Sequence, residues 1–316
     1  MRIPMIALAA LALTAGSGLA KTIDVKASET FPVEKGALLR LTHGDGDVEI
    51  TPWDRDEVAV DVVYHGDYTM VGVGKEPDFK IEMKQEGPVI HVNGRETGVA
   101  MVGIFLSVDI REYRYTIRAP RYLAVESRGQ DGDFSATGLT GNLRCRLDDG
   151  DVSLKEIQAD RVEVEAEDGD VTGERIAART ARFELDDGDL RLRGCSGAWD
   201  VRTEDGDATL RDHASGSLGV RTDDGDIRVQ LAAGDRADVE IESEDGDVEV
   251  VISPEVSTAF LLSTDDGRIN VDADGVRNLD HDGHRAYGEV GDAEGSVRVE
   301  VEDGRISLRV AEGGDA

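Results

Sequence analysis

Hydrophobic and polar residues alternate along most of the chain, and the alternation is arranged around one recurring turn. Asp-Gly-Asp places a glycine at positions 46, 132, 150, 169, 188, 206, 225 and 246, and Asp-Gly-Arg places one at 267 and 304. From Gly132 to Gly267 the steps are 18, 19, 19, 18, 19, 21 and 21 residues. Such regularity predicts one supersecondary unit used many times.

The residues around each turn glycine indicate what the unit is. Apolar residues recur two and four positions after the glycine and five and seven before it, separated by charged and hydroxyl residues. The row two after the glycine contains Phe134, Val152, Val171, Leu190, Ala208, Ile227, Val248, Ile269 and Ile306. A period of two on both sides of an Asp-Gly pair predicts a strand, a tight turn and a second strand.

The apolar rows also distinguish a hairpin meander from a solenoid. A meander requires matching only between neighbouring copies, whereas a solenoid stacks equivalent positions into continuous ladders about 4.8 Å apart. The same rows stay apolar over nine copies, and length varies only at the corner opposite the glycine. We therefore expect an all-β fold in which residues 121–316 form a parallel β-solenoid of about ten coils of ~19 residues.

One inward row changes character along the repeats. Three residues before the glycine, Leu147, Ala166 and Leu185 give way to hydroxyl residues. These are Thr203, Thr222, Ser243 and Thr264. A hydroxyl row bonded along the stack would satisfy these groups.

Residues 21–120 differ from the repeats. One partial copy ends in Gly46-Asp-Val-Glu-Ile50, and longer alternating segments follow at 57–64, 78–84, 89–92 and 112–118. We expect a widened first coil with an antiparallel extension. This region would form an N-terminal β-rich cap over the unpaired edge of the solenoid.

The first twenty residues have the pattern of a signal peptide. Arg2 precedes the apolar run 5–13, and Gly18-Leu-Ala20 provides the small residues that a signal peptidase requires. No later segment reaches the ~18 apolar residues of a membrane helix. We expect cleavage before Lys21 and a mature chain without a membrane span, in a periplasm or secreted.

Composition narrows the classes of partner. In 316 residues, 67 acidic side chains against 35 basic ones give a formal charge of −32. This excess of negative charge argues against a nucleic-acid partner and an anionic lipid surface, since both carry phosphates. Aromatic residues make up 4 % of the chain, so an aromatic-lined ligand pocket is not expected.

The turns carry the densest candidate chemistry, for example Glu167-Asp-Gly-Asp170 and Glu204-Asp-Gly-Asp207. Stacked carboxylates could hold Ca²⁺, which takes six to eight oxygen ligands. Turn chemistry alone also explains them, because Asp favours tight turns and Gly supplies positive φ. We favour the turn explanation, assign no cofactor, and keep Ca²⁺ as the alternative.

Other candidates are isolated. Asp280-His-Asp-Gly-His284 could hold a metal loosely, but its spacing fits neither a tetrahedral site nor a helix, so a solvated loop is favoured. Cys145 lies on an apolar row and is expected to be buried; a disulfide with Cys195 is the less favoured alternative, because the two occupy non-equivalent positions. The apolar run Val99–Val108 would be a partner or lipid contact if exposed, and we favour a buried strand between cap and solenoid.

No catalytic motif stands out. The chain lacks Gly-x-Ser-x-Gly, a phosphate-binding glycine loop and His-Glu-x-x-His. Asp226 near Arg228 could suggest a solenoid lyase, but similar neighbours recur in every repeat. We therefore assign no catalytic, cofactor-binding or metal-binding residue.

Three segments carry a family resemblance. Tyr115-Thr-Ile-Arg-Ala-Pro120, Leu123-Ala-Val-Glu-Ser127 and the closing Gly304-Arg-Ile-Ser-Leu308 resemble the bacterial "putative adhesin" domain family of exported β-solenoids. The resemblance implies a binding role without assigning binding residues. The expectation is a non-catalytic adhesin-like or cell-envelope interaction module with an unknown envelope protein or polysaccharide as partner. The alternatives are a polysaccharide-acting solenoid enzyme and a Ca²⁺-binding surface repeat protein.

Overall fold

The computed structural model describes residues 19–74, 78–97, 101–214, 216–232 and 237–311. This part of the chain contains 25 β-strands and no helix, and all the strands belong to one hydrogen-bonded sheet. The predicted all-β class is confirmed. No helix in these ranges could cross a membrane.

Seven strands precede the regular repeats. They are β1 (Leu19–Pro32), β2 (Leu38–Gly44), β3 (Asp47–Trp53), β4 (Glu57–Gly74), β5 (Asp78–Glu86), β6 (Val89–Thr97) and β7 (Met101–Pro120). β1 pairs with β4, β4 with β7 and β5 with β6, all antiparallel, whereas β2 and β3 pair in parallel with β6 and β7. The partial copy around Gly46 thus lies between this antiparallel region and the repeats.

Each regular repeat contributes one strand before its turn glycine and one after it. The strands before it are β8 (Ala124–Gly129), β10 (Leu143–Asp149), β12 (Gln158–Asp168), β14 (Ala177–Asp187), β16 (Ser196–Asp205), β18 (Gly216–Asp224) and β20 (Ala237–Asp245). Those after it are β9 (Phe134–Thr137), β11 (Val152–Lys155), β13 (Val171–Glu174), β15 (Leu190–Arg193), β17 (Ala208–His213), β19 (Ile227–Leu231) and β21 (Val248–Ile252). We call the two strands of one repeat a layer.

Successive layers pair in parallel, one repeat apart. Val162 lies beside Ala181 and Val171 beside Leu190, so the apolar rows of the sequence alignment become ladders in space. β2 and β3 pair in the same way with β8 and β9, which places the Gly46 copy directly on the Gly132 layer.

The C-terminal end departs from the predicted order. Its strands are β22 (Thr258–Val271), β23 (Arg277–His281), β24 (Arg285–Val290) and β25 (Gly295–Val310). β25 pairs in parallel with β20 and β21 on one side and with β22 on the other, while β24 pairs antiparallel with β22 and β23. The sheet is therefore mixed: the predicted parallel pairing holds among the layers and for β25 and β22, but the pairings of β24 are antiparallel. The last turn glycine of the chain lies inside the stack because β25 presents the same rows as β22.

The turn glycines stack directly on one another. Gly150 has φ of 118°, and a Cβ there would lie 2.6 Å from the carbonyl oxygen of Gly132. The equivalent approach is closer still at Gly169, Gly188, Gly206, Gly225 and Gly246. Backbone-to-backbone packing, together with positive φ, requires glycine at this corner.

The inward rows form one continuous core. Leu192 is 2 % exposed, and its Cδ2 fills the space that a side chain on Gly173 of the preceding layer would need. Phe183 and Trp199 stack at 5.2 Å between ring centroids in adjacent layers. Filling of this kind makes each layer depend on its neighbours for burial.

The buried hydroxyl row differs in its bonding from the prediction. Thr203, Thr222, Ser243 and Thr264 are buried as expected. Thr222 and Ser243, however, donate to the carbonyls of Asp224 and Asp245 in their own turns, at 3.3 and 3.4 Å. Only Thr264 donates to a neighbouring layer, and Thr203 has no partner among the described residues. The hydroxyl row is therefore not a hydrogen-bonded ladder along the stack.

The apolar run 99–108 is only partly described. Residues 99 and 100 and the side chains of 101–108 lie outside the described part of the molecule. The backbone from Met101 onward belongs to β7 and pairs with β4.

Candidate functional site

The aspartate that follows the glycine of each Asp-Gly-Asp turn links consecutive layers. Its Oδ1 accepts a hydrogen bond from the backbone N–H of the equivalent residue in the next layer, at 2.9–3.1 Å. We call this series the aspartate ladder: Asp47, Asp133, Asp151, Asp170, Asp189, Asp207, Asp226 and Asp247, ending at the N–H of Arg305. The second Asp of each Asp-Gly-Asp thus satisfies a donor in another layer rather than in its own turn.

Arginines neutralise part of the ladder. Arg191 donates to Asp170 Oδ2 at 2.6 Å and also contacts Asp189. The N–H of Asp189 and the Arg191 guanidinium together hold the pKa of Asp170 below its usual value. Oxygens already committed to N–H groups and guanidinium groups are less available to a metal ion.

A polar groove runs along the outward face of the strands that precede the turns. One section has a volume of about 750 Å³ and is lined by Arg202, Arg221 and Glu242 among others. A second section of about 410 Å³ shares Arg202 with the first. A third of about 690 Å³ shares Arg146 and Glu167 with the second, so the three sections adjoin along this face. We call this feature the lateral groove.

Two outward rows set the charge of the lateral groove. The row two residues before the glycine is Gln130 in the layer of Gly132 and acidic in the other six layers and in β25 and β22, namely Asp148, Glu167, Asp186, Glu204, Asp223, Glu244, Glu302 and Asp265. The row four before it mixes arginine with glutamate, and Arg221 contacts Glu242 at 2.6 Å across adjacent layers. An extended ligand would therefore meet similar acidic and guanidinium groups at intervals of about 4.8 Å.

The candidate residues from the sequence lie apart from one another. Asp282 accepts from the N–H groups of His284 and Arg285, at 3.2 and 2.9 Å, so this segment forms the β23–β24 turn. His284 lines one end of the lateral groove. In the described ranges, no group of three His, Cys, Asp or Glu side chains is arranged to hold a metal.

Both cysteines are buried and neither is in a disulfide. Burial was expected from the sequence for Cys145 alone. Burial raises the pKa of both thiols, which keeps them protonated. Asp226 and Arg228, the two residues that could suggest a lyase, form an ion pair at 2.8 Å. Arg191 makes the same contact with Asp189. The pair therefore repeats a surface pattern and marks no single site.

Two buried histidines were not recognised from the sequence. His43 lies three residues before Gly46, and its Nδ1 donates to the Gly46 carbonyl at 2.7 Å, while its Nε2 has no described partner. His213 packs edge-on against Trp199, and neither of its ring nitrogens has a partner in the described structure. Burial lowers the pKa of each to about 4. Aligning the partial copy on its glycine would have placed His43 in the inward row.

A tyrosine cluster closes the N-terminal end of the core. Tyr64 stacks on Phe79 at 4.2 Å and meets Tyr113 edge-on at 5.1 Å. Tyr64 donates to Glu96 at 3.0 Å, and burial raises the pKa of that carboxyl. Tyr113 and Tyr115 are joined at 2.9 Å through their hydroxyls. The cluster is internally bonded and lies behind the lateral groove, of which Glu96 lines one end.

One described family matches most of this chain. The family model named Toastrack DUF4097 covers residues 37–309. The chain belongs to this family. The family resemblance drawn from the sequence is thereby confirmed. No curated protein matches this toastrack chain.

Several solved structures are similar to the toastrack chain. A "putative adhesin" from Bacteroides fragilis is 11 % identical, with a TM-score of 0.43 over 90 % of this chain and 97 % of its own. A "putative adhesin" from Parabacteroides distasonis is 10 % identical, with a TM-score of 0.34 over 94 % and 98 %. A "putative lipid binding protein" from the same species is 11 % identical, with a TM-score of 0.34 over 91 % and 97 %. Likeness at this level assigns no role to the toastrack chain.

Proposed function

We propose that this toastrack protein is an exported, non-catalytic binding module of the cell envelope or cell surface, similar in role to an adhesin. Residues 1–20 would be removed on export, leaving a periplasmic or secreted protein. In this proposal residues 21–120 cap a β-solenoid formed by residues 121–316, and the lateral groove holds the partner.

The repetition of the lateral groove is the observation that supports this function. An acid lies two residues before the turn glycine in six of the seven layers and in β22 and β25, and the chain lacks Gly-x-Ser-x-Gly and His-Glu-x-x-His. A binding surface for an extended polymer needs the same contact many times, whereas a catalyst needs one distinctive constellation. An envelope polysaccharide or an extended segment of an envelope protein meets this requirement.

The partner can be tested with the mature chain immobilised and exposed to a solubilised envelope fraction of its own cells. Replacing both Arg202 and Arg221 by Glu should weaken retention about tenfold or more, because these arginines line the lateral groove. Arg193→Glu with Arg211→Glu is the matched control, since both lie on the outer face of the strands after the turn. Equal weakening by both pairs would refute a groove-specific role.

Treating the envelope fraction beforehand identifies the chemical class of the partner. Protease treatment should abolish retention of a protein partner, and periodate oxidation should abolish retention of a polysaccharide. Release of reducing ends from a retained polysaccharide would contradict the non-catalytic proposal and favour the solenoid enzyme. Absence of any retained envelope component would refute the binding role itself.

A further inference from the structure

The last strand of the chain does not lie last in the stack. β25 lies between β20 and β22, with Asp303 beside Asp245 on one side and beside Asp266 on the other. β22 follows β21 in the sequence but, among the described residues, does not pair with β20 or β21. The position between them in the sheet is occupied by β25, which comes last in the chain.

β22 and β25 carry equivalent residues at their buried apolar positions. Phe260 and Val297, Leu262 and Val299, and Ile269 and Ile306 are direct register partners and all are buried. Both turns read Asp-Gly-Arg, so the N–H of Arg268 is equivalent to that of Arg305, which donates to Asp247. The step from Gly246 to Gly267 is 21 residues, the same as the step before it. β22 can therefore occupy the place of β25 on β20 and β21 without a change of register.

The connection between β24 and β25 is short and conformationally constrained. Both strands flank Thr258 of β22, so residues 291–294 must pass around the end of that strand. Gly291 and Ala293 have φ of 61° and 58°, and alanine is disfavoured there. The N–H groups of Asp292 and Glu294 both donate to Ser257 Oγ, at 2.8 and 3.3 Å.

These observations together point to an exchangeable strand. Release of β25 leaves the edges of β20 and β21 on one side, and of β22 on the other, without a pairing partner. Because β22 matches β25 in register, these two edges can pair with each other. A short, constrained hinge favours exchange of a terminal element between identical chains. We propose that two copies of this chain associate by exchanging β25, each strand entering the position between β20 and β22 of the other chain. All contacts of β25 are then kept across the two chains.

Cysteine pairing between separately labelled chains tests the exchange directly. Glu242 and Glu300 are register partners on the exposed face, on β20 and β25. Two full-length chains with tags of different size carry either Glu242→Cys or Glu300→Cys, are refolded together and are then oxidised. A cross-link between the two sizes is expected, because it requires β25 of one chain beside β20 of the other. Arg221→Cys with Glu242→Cys is the matched control, since β18 and β20 are adjacent layers of one chain and should give no such link.

Shortening the hinge provides the second measurement. With Asp292 and Ala293 deleted, the chain between Val290 and Gly295 can span about 10 Å at most. These two residues are separated by two strand spacings, ~9.6 Å in a straight line, and β22 lies across that line. The deletion should therefore shift the monomer–dimer equilibrium of the chain toward dimer in light scattering, while inserting two glycines after Ala293 should shift it toward monomer. A monomeric deletion variant, or cross-linking no greater than in the control pair, would overturn the proposal.

Discussion

Single residues at the turn join one layer to the next, and the aspartate ladder shows this most directly. Asp207 accepts the N–H of Asp226 at 2.9 Å. A side chain at this position therefore acts on the following layer, although it lies beside a glycine in its own turn.

Asp207→Asn and Asp207→Ala separate the hydrogen bond from the charge. Asparagine keeps an acceptor oxygen and should change the free energy of unfolding by only a few tenths of a kcal/mol. Alanine leaves the Asp226 N–H without its partner and should cost about 1 kcal/mol. Urea denaturation of both variants measures the difference. Equal losses from both would indicate that the charge, not the ladder bond, is the stabilising feature.

His213 makes the core sensitive to acid. Its pKa is lowered to about 4 by burial, whereas the unfolded chain takes up this proton near 6.5. The unfolded state therefore binds more protons between these values, and stability falls as pH decreases from 6.5 to 4, by about 3 kcal/mol at most.

His213→Leu should remove this acid sensitivity. The change sacrifices no described hydrogen bond, because both ring nitrogens lack partners. The variant should be near wild type at pH 7 and clearly more stable at pH 4.5 by thermal denaturation. His43→Leu is the control: it loses the bond to the Gly46 carbonyl and should be less stable at pH 7. An unchanged gap between His213→Leu and wild type across this range would contradict the assignment.

The strands tolerate changes of length at one corner only. Val229 to Val239 takes ten residues, whereas Leu210 to Leu218 takes eight, and both connections join one layer to the next. A two-residue insertion after Ala232 should therefore change the melting temperature little. The same insertion after Asp205 should displace Gly206 from its position on Gly188 and shift the following strand out of register. Equal losses of melting temperature would count against one fixed corner.

The order of elements marks the limit of prediction from sequence. Apolar rows and Asp-Gly turns predicted the strands, their inward faces and the parallel pairing of the layers. The position of β25 before β22 in the sheet was not predictable, because the two strands carry equivalent residues in the apolar rows. The lateral groove was missed for another reason: its outward rows are visible in sequence, but the concavity depends on how the layers are curved.

The whole molecule combines a strong negative charge with a regular spacing of carboxylates. Two carboxylates ~4.8 Å apart repel by about 0.9 kcal/mol in water. Screening should reduce this repulsion, since the Debye length falls from ~10 Å at 0.1 M salt to ~3 Å at 1 M. We expect NaCl to raise the melting temperature.

Calcium provides the contrasting measurement. Sub-millimolar Ca²⁺ in about 0.15 M NaCl should change the melting temperature no more than Mg²⁺ does, because screening does not depend on the identity of the cation. A rise of several degrees with Ca²⁺ alone, reversed by a chelator, would show ordered sites and favour a Ca²⁺-binding surface repeat protein.

The aspartate ladder has a direction, which bears on how such a chain can lengthen in evolution. An internal layer both donates to the layer before it and accepts from the layer after it, so duplicating the gene segment for one layer creates only junctions that already exist. The ladder stops at the C-terminal end, because Arg305 donates to Asp247 but has no carboxylate to accept a hydrogen bond from a further layer. Length can therefore change by whole layers between unchanged ends, and each added layer extends the lateral groove by about 4.8 Å.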